Sequence, residues 1–230
     1  MDTQPLRIDI WSDVVCPWCW IGKHRLRAAL AQLDRPVEFH WHAFQLDPES
    51  DEQPVPLREA YERKFGGRER TEQILAQTQA TGRAEGLPFD FDRGQVRVNT
   101  LKAHRLIWLA GQEGDADAVG EALFRAHFAQ GRNLADTQTL IDAGAAGGLS
   151  EARVRALLGS DEGLAQVNAQ IGQAQALGIR AVPTFLIDGR VAVQGGQSPD
   201  VFLGAIAQAD AAAVASSQSA ADCGPDGCAV

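Results

Sequence analysis

The chain has 230 residues, 45% of them hydrophobic, and a formal charge of −9. That length and apolar content supply a sizeable core and exclude a disordered chain. The acidic balance, with no basic tract longer than Lys23–Arg27, argues against a nucleic-acid partner, and no apolar run reaches the roughly eighteen residues of a membrane span.

Residues Met1–Arg7 show neither a positive start nor an apolar core of the secretory type. The expected compartment is therefore the cytoplasm, although a chain trimmed of its signal would read the same. In that compartment paired cysteines tend to be catalytic, redox-sensing or metal-binding. Leu6–Asp13 alternates and then turns apolar, which predicts a first strand. In Pro17–Leu33 apolar residues recur at 21, 26, 29, 30 and 33, the period of a helix, which Asp34-Arg35-Pro36 ends.

At the handover from strand to helix stands Cys16-Pro17-Trp18-Cys19. A thiol at a helix start faces unpaired backbone N–H groups and the positive end of the helix dipole, and both favour thiolate. Lys23, His24, Arg25 and Arg27 add cationic charge nearby. The pattern points to a redox dithiol with Cys16 as the exposed nucleophile and Cys19 as the resolving thiol. The competing readings are half a zinc site, a structural disulfide and chance. Zinc wants four ligands, and the chain holds four cysteines in all. With the first pair explained by its strand–helix setting, no metal is expected.

Val37–Leu46 alternates as a second strand, so the dithiol opens the crossover of a βαβ unit. From Leu57 to Gly178 the pattern is helical, with segments at Arg58–Gly66, Arg70–Gly82, Asn99–Gly111 and Ala116–Gln130. Further helices follow an Asp136 cap to Ala146, a Ser150 cap to Leu158, and a start at Ser160 running to Gly178. Thr184–Ile187, an Asp188-Gly189 turn and Val191–Val193 predict a hairpin. Pro199–Val214 closes the fold as a helix, and Ser216–Ala220 reads as a polar linker.

Pro183 precedes the third strand, a position where proline is tolerated, and on base rates its bond would be trans. The order of elements, with DVVCPWCWIGKHRL, NTLKAHRL, GIRAVPTFLIDG and QGGQSPDVF, resembles the DsbA-like branch of the thioredoxin fold, and more narrowly the FrnE-type proteins. The resemblance covers about residues 6–214. It implies an α/β thioredoxin fold with a large helical insertion. Residues 1–48 and 179–214 would form the thioredoxin-like domain, 49–178 the inserted helical domain, and 215–230 a flexible tail. It also implies a cis Pro183 opposite the nucleophilic sulfur and a Val182 backbone that binds substrate. Asn99 and Arg105 would touch substrate in such proteins, whereas on physical grounds a solvated face is expected for them.

The implied activity is thiol–disulfide exchange with disulfide-containing or thiol proteins, with no bound cofactor and glutathione as an optional co-substrate; a monomer is the default expectation. Trp18 would form an exposed apolar lip for unfolded substrates. Because Pro17-Trp18 lacks the histidine of the DsbA prototype, the couple is expected to be less oxidising. The alternative is a glutathione-dependent transferase or isomerase, of the kappa-class or hydroxychromene-carboxylate isomerase type. Such relatives carry serine where this chain has Cys16.

Cys223 and Cys228 flank Gly-Pro-Asp-Gly near the chain end, residues that let two thiols close on each other. They read either as a second redox pair, relaying electrons to Cys16–Cys19 or regulating it, or as a passive tail. His40 and His42 share a strand face at metal-ligand spacing without a third ligand, and Asp13 could relay protons to Cys19.

Overall fold

The structure, a computed structural model, describes residues 4–50 and 53–221. Strand β1 (Leu6–Ser12) is buried at every position but Arg7, as befits a central strand. Helix α1 (Pro17–Leu30) returns the chain to β2 (Val37–Ala43), which pairs parallel to β1 with Leu6 opposite Val37 and Ser12 opposite Ala43. Near the end of the chain, β5 (Thr184–Ile187) runs antiparallel to β1, and β6 (Val191–Gln194) extends the sheet in the order β2-β1-β5-β6. The β5–β6 turn holds Asp188 at φ 47° and Gly189 at φ 67°, the left-handed pair that the Asp-Gly dipeptide predicts. Helix α9 (Pro199–Ala221) packs beside α1. Between these two helices and the sheet lies a core of Leu6, Ile8, Ile10, Leu26, Phe185 and Phe202.

This is the α/β thioredoxin arrangement, and the stretch between β2 and β5 is the helical insertion. Its helices are α2 (Leu57–Phe65), α3 (Arg68–Ala84), α4 (Leu101–Glu113), α5 (Ala116–Phe128), α6 (Thr137–Ala146), α7 (Glu151–Leu158) and α8 (Leu164–Ala176). The insertion shares its core with the sheet. Trp20 of α1 lies 4.9 Å from Phe89 and 6.2 Å from Phe124 between ring centroids. Cys16 and Cys19 belong to the same apolar cluster as Leu57, Leu75 and Phe128.

Four local features differ from the sequence expectation. Two short strands, β3 (Val55–Pro56) and β4 (Val96–Arg97), form a ladder too brief to show alternation. Helix α1 stops at Leu30 and relaxes into turns at Gln32 and Leu33. Ser160 does not open α8: its hydroxyl donates back to the carbonyls of Ala156 and Leu157 and accepts the Glu162 N–H only at 3.4 Å, and α8 starts after Gly163 at φ 75°. Helix α9 continues to Ala221, through the residues read as a linker. Alanine-rich sequence favours this continuation, since alanine loses no side-chain entropy in a helix.

Candidate active site

Cys16 is the N-cap of α1, at φ −94° and ψ 112°, and Pro17 takes the first helical position. The Cys16 N–H donates to Asp13 O at 3.0 Å, and the Cys19 N–H donates to Cys16 O at 3.1 Å, so the dithiol occupies the first turn itself. Both thiols are free. The sequence reading made Cys16 exposed; the structure corrects this, with Cys16 5% exposed and Cys19 2%. Leu57, Val182 and Tyr61 gather around the pair, and this closure depends on distant segments. Trp18, at 40%, is the exposed member of the motif. Burial pushes the Cys19 thiol well above its usual range and the neighbouring Cys16 adds to the rise, while the Ser12 side chain and the Asp13 backbone oppose it.

The Val182–Pro183 bond is cis, against its base rate and as the family resemblance implies. Cys16 Sγ donates to Val182 O at 3.6 Å. Pro183 O accepts the Gly195 N–H at 2.8 Å, which ties the proline loop to the end of β6. Glycines make this assembly possible. A Cβ on Gly22 would sit 3.0 Å from Pro183 Cγ, and one on Gly196 would sit 3.3 Å from the Trp18 ring.

The cations of α1 are not directed at the dithiol as expected. Buried Lys23 pairs with Glu121 at 2.9 Å and Asp117 at 3.3 Å, Arg25 with Glu85 at 2.6 Å, and Arg27 with Asp117. Their charge is spent on the insertion. Asn99 instead donates to the carbonyls of Pro48 and Ser50 and accepts from Gln45 and Leu101 N–H. Arg105 is 6% exposed, so it neither contacts solvent freely nor faces the dithiol. It donates to the carbonyls of Leu157, Ser160 and Glu162 and fixes the loop between α7 and α8. His42 lies 2.7 Å from Asp9 and stacks on Trp11, while His40 lies 3.8 Å from Glu38. Among the described residues no three His, Cys, Asp or Glu side chains gather as a metal site, and no helix is long and apolar enough to cross a membrane. Cys223 and Cys228 lie outside the described residues.

Beside the dithiol opens a cavity of about 450 Å³, lined by Val15, Leu57, Tyr61, Lys64, Asp13 and His127 among others. Asp13 is 1% exposed; its Oδ2 accepts the Leu46 N–H at 2.8 Å and its Oδ1 lies 3.3 Å from His104 Nε2. His127 is 1% exposed, and burial pushes its imidazole down to about 4 against a slight opposing pull from Asp13. Tyr61 has its hydroxyl pushed up, chiefly by burial and then by the charges of Cys16 and Asp13. Sequence reasoning weighed Asp13 but missed Tyr61 and His127, single polar residues on helical faces that carry no motif; His104, within NTLKAHRL, was expected on a solvated face and is instead 4% exposed.

The profile of the DSBA-like thioredoxin domain matches residues 7–207. A protein of Streptomyces coelicolor, described as a probable DsbA oxidoreductase, is 32% identical, with a TM-score of 0.83, over 98% of this chain and 99% of its own. The cytosolic disulfide reductase DsbM of Pseudomonas aeruginosa shares the fold at 22% identity and a TM-score of 0.60, covering 86% of this chain and 95% of its own. Its structure with GSH has a TM-score of 0.59. YwbO of Bacillus subtilis, an uncharacterised protein, is 28% identical over 87% of this chain and 96% of its own. A 2-hydroxychromene-2-carboxylate isomerase shares the fold at 15% identity, with a TM-score of 0.63 over 94% of this chain and 98% of its own.

Proposed function

Because the chain belongs to the DSBA-like thioredoxin-domain family, we propose that it is a disulfide oxidoreductase working through Cys16 and Cys19, of the FrnE type and acting in the cytoplasm as a monomer. The observation that carries this reading is Cys16 at the N-terminus of α1, 3.6 Å from Val182 O beside a cis proline, with Cys19 buried beneath it.

The Cys16 thiolate attacks one sulfur of a substrate disulfide. A Cys16–substrate bond forms, the substrate bond breaks, and the second substrate sulfur leaves as thiolate and takes a proton from solvent. Cys19 then loses its proton and attacks Cys16 Sγ, which closes the Cys16–Cys19 disulfide and releases the first substrate sulfur. Two electrons pass to the substrate, and the reverse sequence oxidises a dithiol. Burial holds Cys19 as the thiol, so Cys16 is the sulfur that meets the substrate first. The Val182 backbone and Trp18 hold an extended substrate segment against Cys16. Cys223 and Cys228 serve as a second redox pair that relays electrons to the first.

Glutathione is the small co-substrate that the cavity beside Cys16 suits in size, and a fold neighbour has been solved with GSH. The same cavity is the one observation that favours the alternative, a glutathione-dependent transferase or isomerase. Two assays separate the readings. The protein should reduce insulin in the presence of a thiol reductant and lose this activity in Cys16→Ser, and Cys19→Ser should accumulate a Cys16–substrate disulfide visible by mass. Insulin reduction that survives Cys16→Ser, or glutathione conjugation without insulin reduction, would overturn the proposal.

A further inference from the structure

The cavity next to the dithiol carries more polar machinery than sulfur exchange requires. Both ring nitrogens of His127 are buried without a hydrogen bond, Asp13 Oδ1 has only His104 Nε2 at 3.3 Å beside it, and Asp13 and His127 line the cavity directly. Folded proteins leave few such atoms unsatisfied, and each unmet partner is costly. Their gathering at one end of the cavity indicates a polar occupant. Asp13 is oriented for one, because Leu46 N–H holds Oδ2 and leaves Oδ1 turned to the imidazoles.

The charge around the cavity has a direction. At its inner end stands the Asp13 carboxylate with His127, whose burial keeps the ring neutral and able to donate from one nitrogen and accept at the other. Three cations, Arg63, Lys64 and Arg97, line the cavity as well. Arg63 pairs with Glu59 and Arg97 with Asp47, whereas exposed Lys64 makes no ion pair among the described residues. An anionic inner site with a spare outer cation complements a zwitterion that enters amine first. Leu57 and Tyr61 of the cavity wall also pack in the apolar cluster that holds Cys16, so the cavity adjoins the dithiol although neither cysteine lines it.

We propose that this cavity binds the α-amino-acid end of a small disulfide of the cystine type, its ammonium on Asp13 and His127 and its carboxylate on Lys64. The proposal rests on the oxidoreductase reading and names a substrate class for it. The Cys16 thiolate attacks one cystine sulfur, forming a Cys16–cysteine disulfide and releasing one cysteine. Cys19 then attacks Cys16 Sγ and releases the second cysteine, so cystine gains two electrons and two protons while the enzyme becomes the Cys16–Cys19 disulfide. A small dithiol reductant restores it. The γ-glutamyl end of glutathione disulfide carries the same zwitterion, so both sources share this chemistry.

The test follows oxidation of the reduced protein by stopped-flow tryptophan fluorescence, Trp18 lying beside the dithiol. The probes are cystine, glutathione disulfide, cystamine, which lacks the carboxylates, and 3,3′-dithiodipropionate, which lacks the amines. Each rate is divided by that of a free thiol with the same probe. Cystine or glutathione disulfide should exceed both truncated probes by about tenfold, the scale of one hydrogen bond to a charged group. The faster of the two identifies the source. Asp13→Asn should shrink the preference for cystine over dithiodipropionate, and Lys64→Gln, at an exposed position that the fold does not need, the preference for cystine over cystamine. A merely structural role would lower every rate by one factor. Rates for all four probes within about threefold, or variants that slow all four equally, overturn the proposal while insulin reduction persists. A protein that oxidises with none of the probes and does not reduce insulin overturns the oxidoreductase reading itself.

Discussion

His127 offers a direct measurement of how tightly the cavity floor is closed. Its ring packs edge-on against Phe128 at 4.6 Å, is 1% exposed, and has no hydrogen bond. Burial holds its imidazole at about 4 against an ordinary 6.5. Below about pH 6.5 the unfolded chain takes up a proton that the folded chain refuses, so stability falls with acidity and the loss is complete near pH 4. At about pH 5 this one group costs about 2 kcal/mol, a large share of a typical folding free energy. Other buried ion pairs act at more acid pH. Asp9 is pushed up by burial, but His42 and Arg7 more than reverse this and hold it below the carboxylate range; for Glu121, Lys23 does the same. Urea unfolding of the wild type and of His127→Gln, which keeps polarity but does not titrate there, gives the comparison. The wild type should lose about 2 kcal/mol more than the variant between about pH 8 and pH 5. Parallel losses in the two proteins would show that water reaches this imidazole and that the floor is open.

Gly22→Ala should press a methyl against Pro183, 3.0 Å away, and Gly196, 3.2 Å away, and so move the proline edge off Cys16. Insulin turnover should drop by about tenfold or more, while urea stability changes by only about 1–3 kcal/mol. Arg105→Met removes the donor to three carbonyls and should cost about 3 kcal/mol or more of stability, with kcat/KM of the folded protein unchanged. A redox titration should place the Cys16–Cys19 couple well below the DsbA value of about −120 mV, since the cations of α1 are paired elsewhere and Pro17-Trp18 brings none.

The sequence was most readable where structure is local. The strand–helix handover at Cys16, the hairpin about Asp188-Gly189 and the caps Asp136 and Ser150 are written in neighbouring residues, and the structure repeats them. What depends on distant segments could not be read. Nothing near Lys23 announces Asp117 and Glu121, so a cation that looks poised for the thiol is in fact bound by α5. The burial of Cys16 arises from Leu57, Tyr61 and Val182, contributed by two distant stretches, α2 and the loop before β5. Asp13, His104 and His127 come from the turn after β1, from α4 and from α5, and a lone histidine within an amphipathic helix gives no sign that it lacks a partner. Ser160 misled because a hydroxyl can satisfy carbonyls behind it as readily as amides ahead.

Helix α9 sets a limit on traffic between the two cysteine pairs. It leaves from the loop in which Gly196 abuts Trp18 and passes Arg35, beyond the end of α1, where Asp210 makes an ion pair at 2.8 Å. Wound as far as Ala221, it spans about 33 Å, pointing away from the dithiol. Two further residues reach Cys223, worth at most about 7 Å of extended chain, and seven reach Cys228, worth about 25 Å, both shorter than the route back. With that rod intact, the proposed handover of electrons between the pairs would have to pass between separate molecules, and its rate should rise with protein concentration.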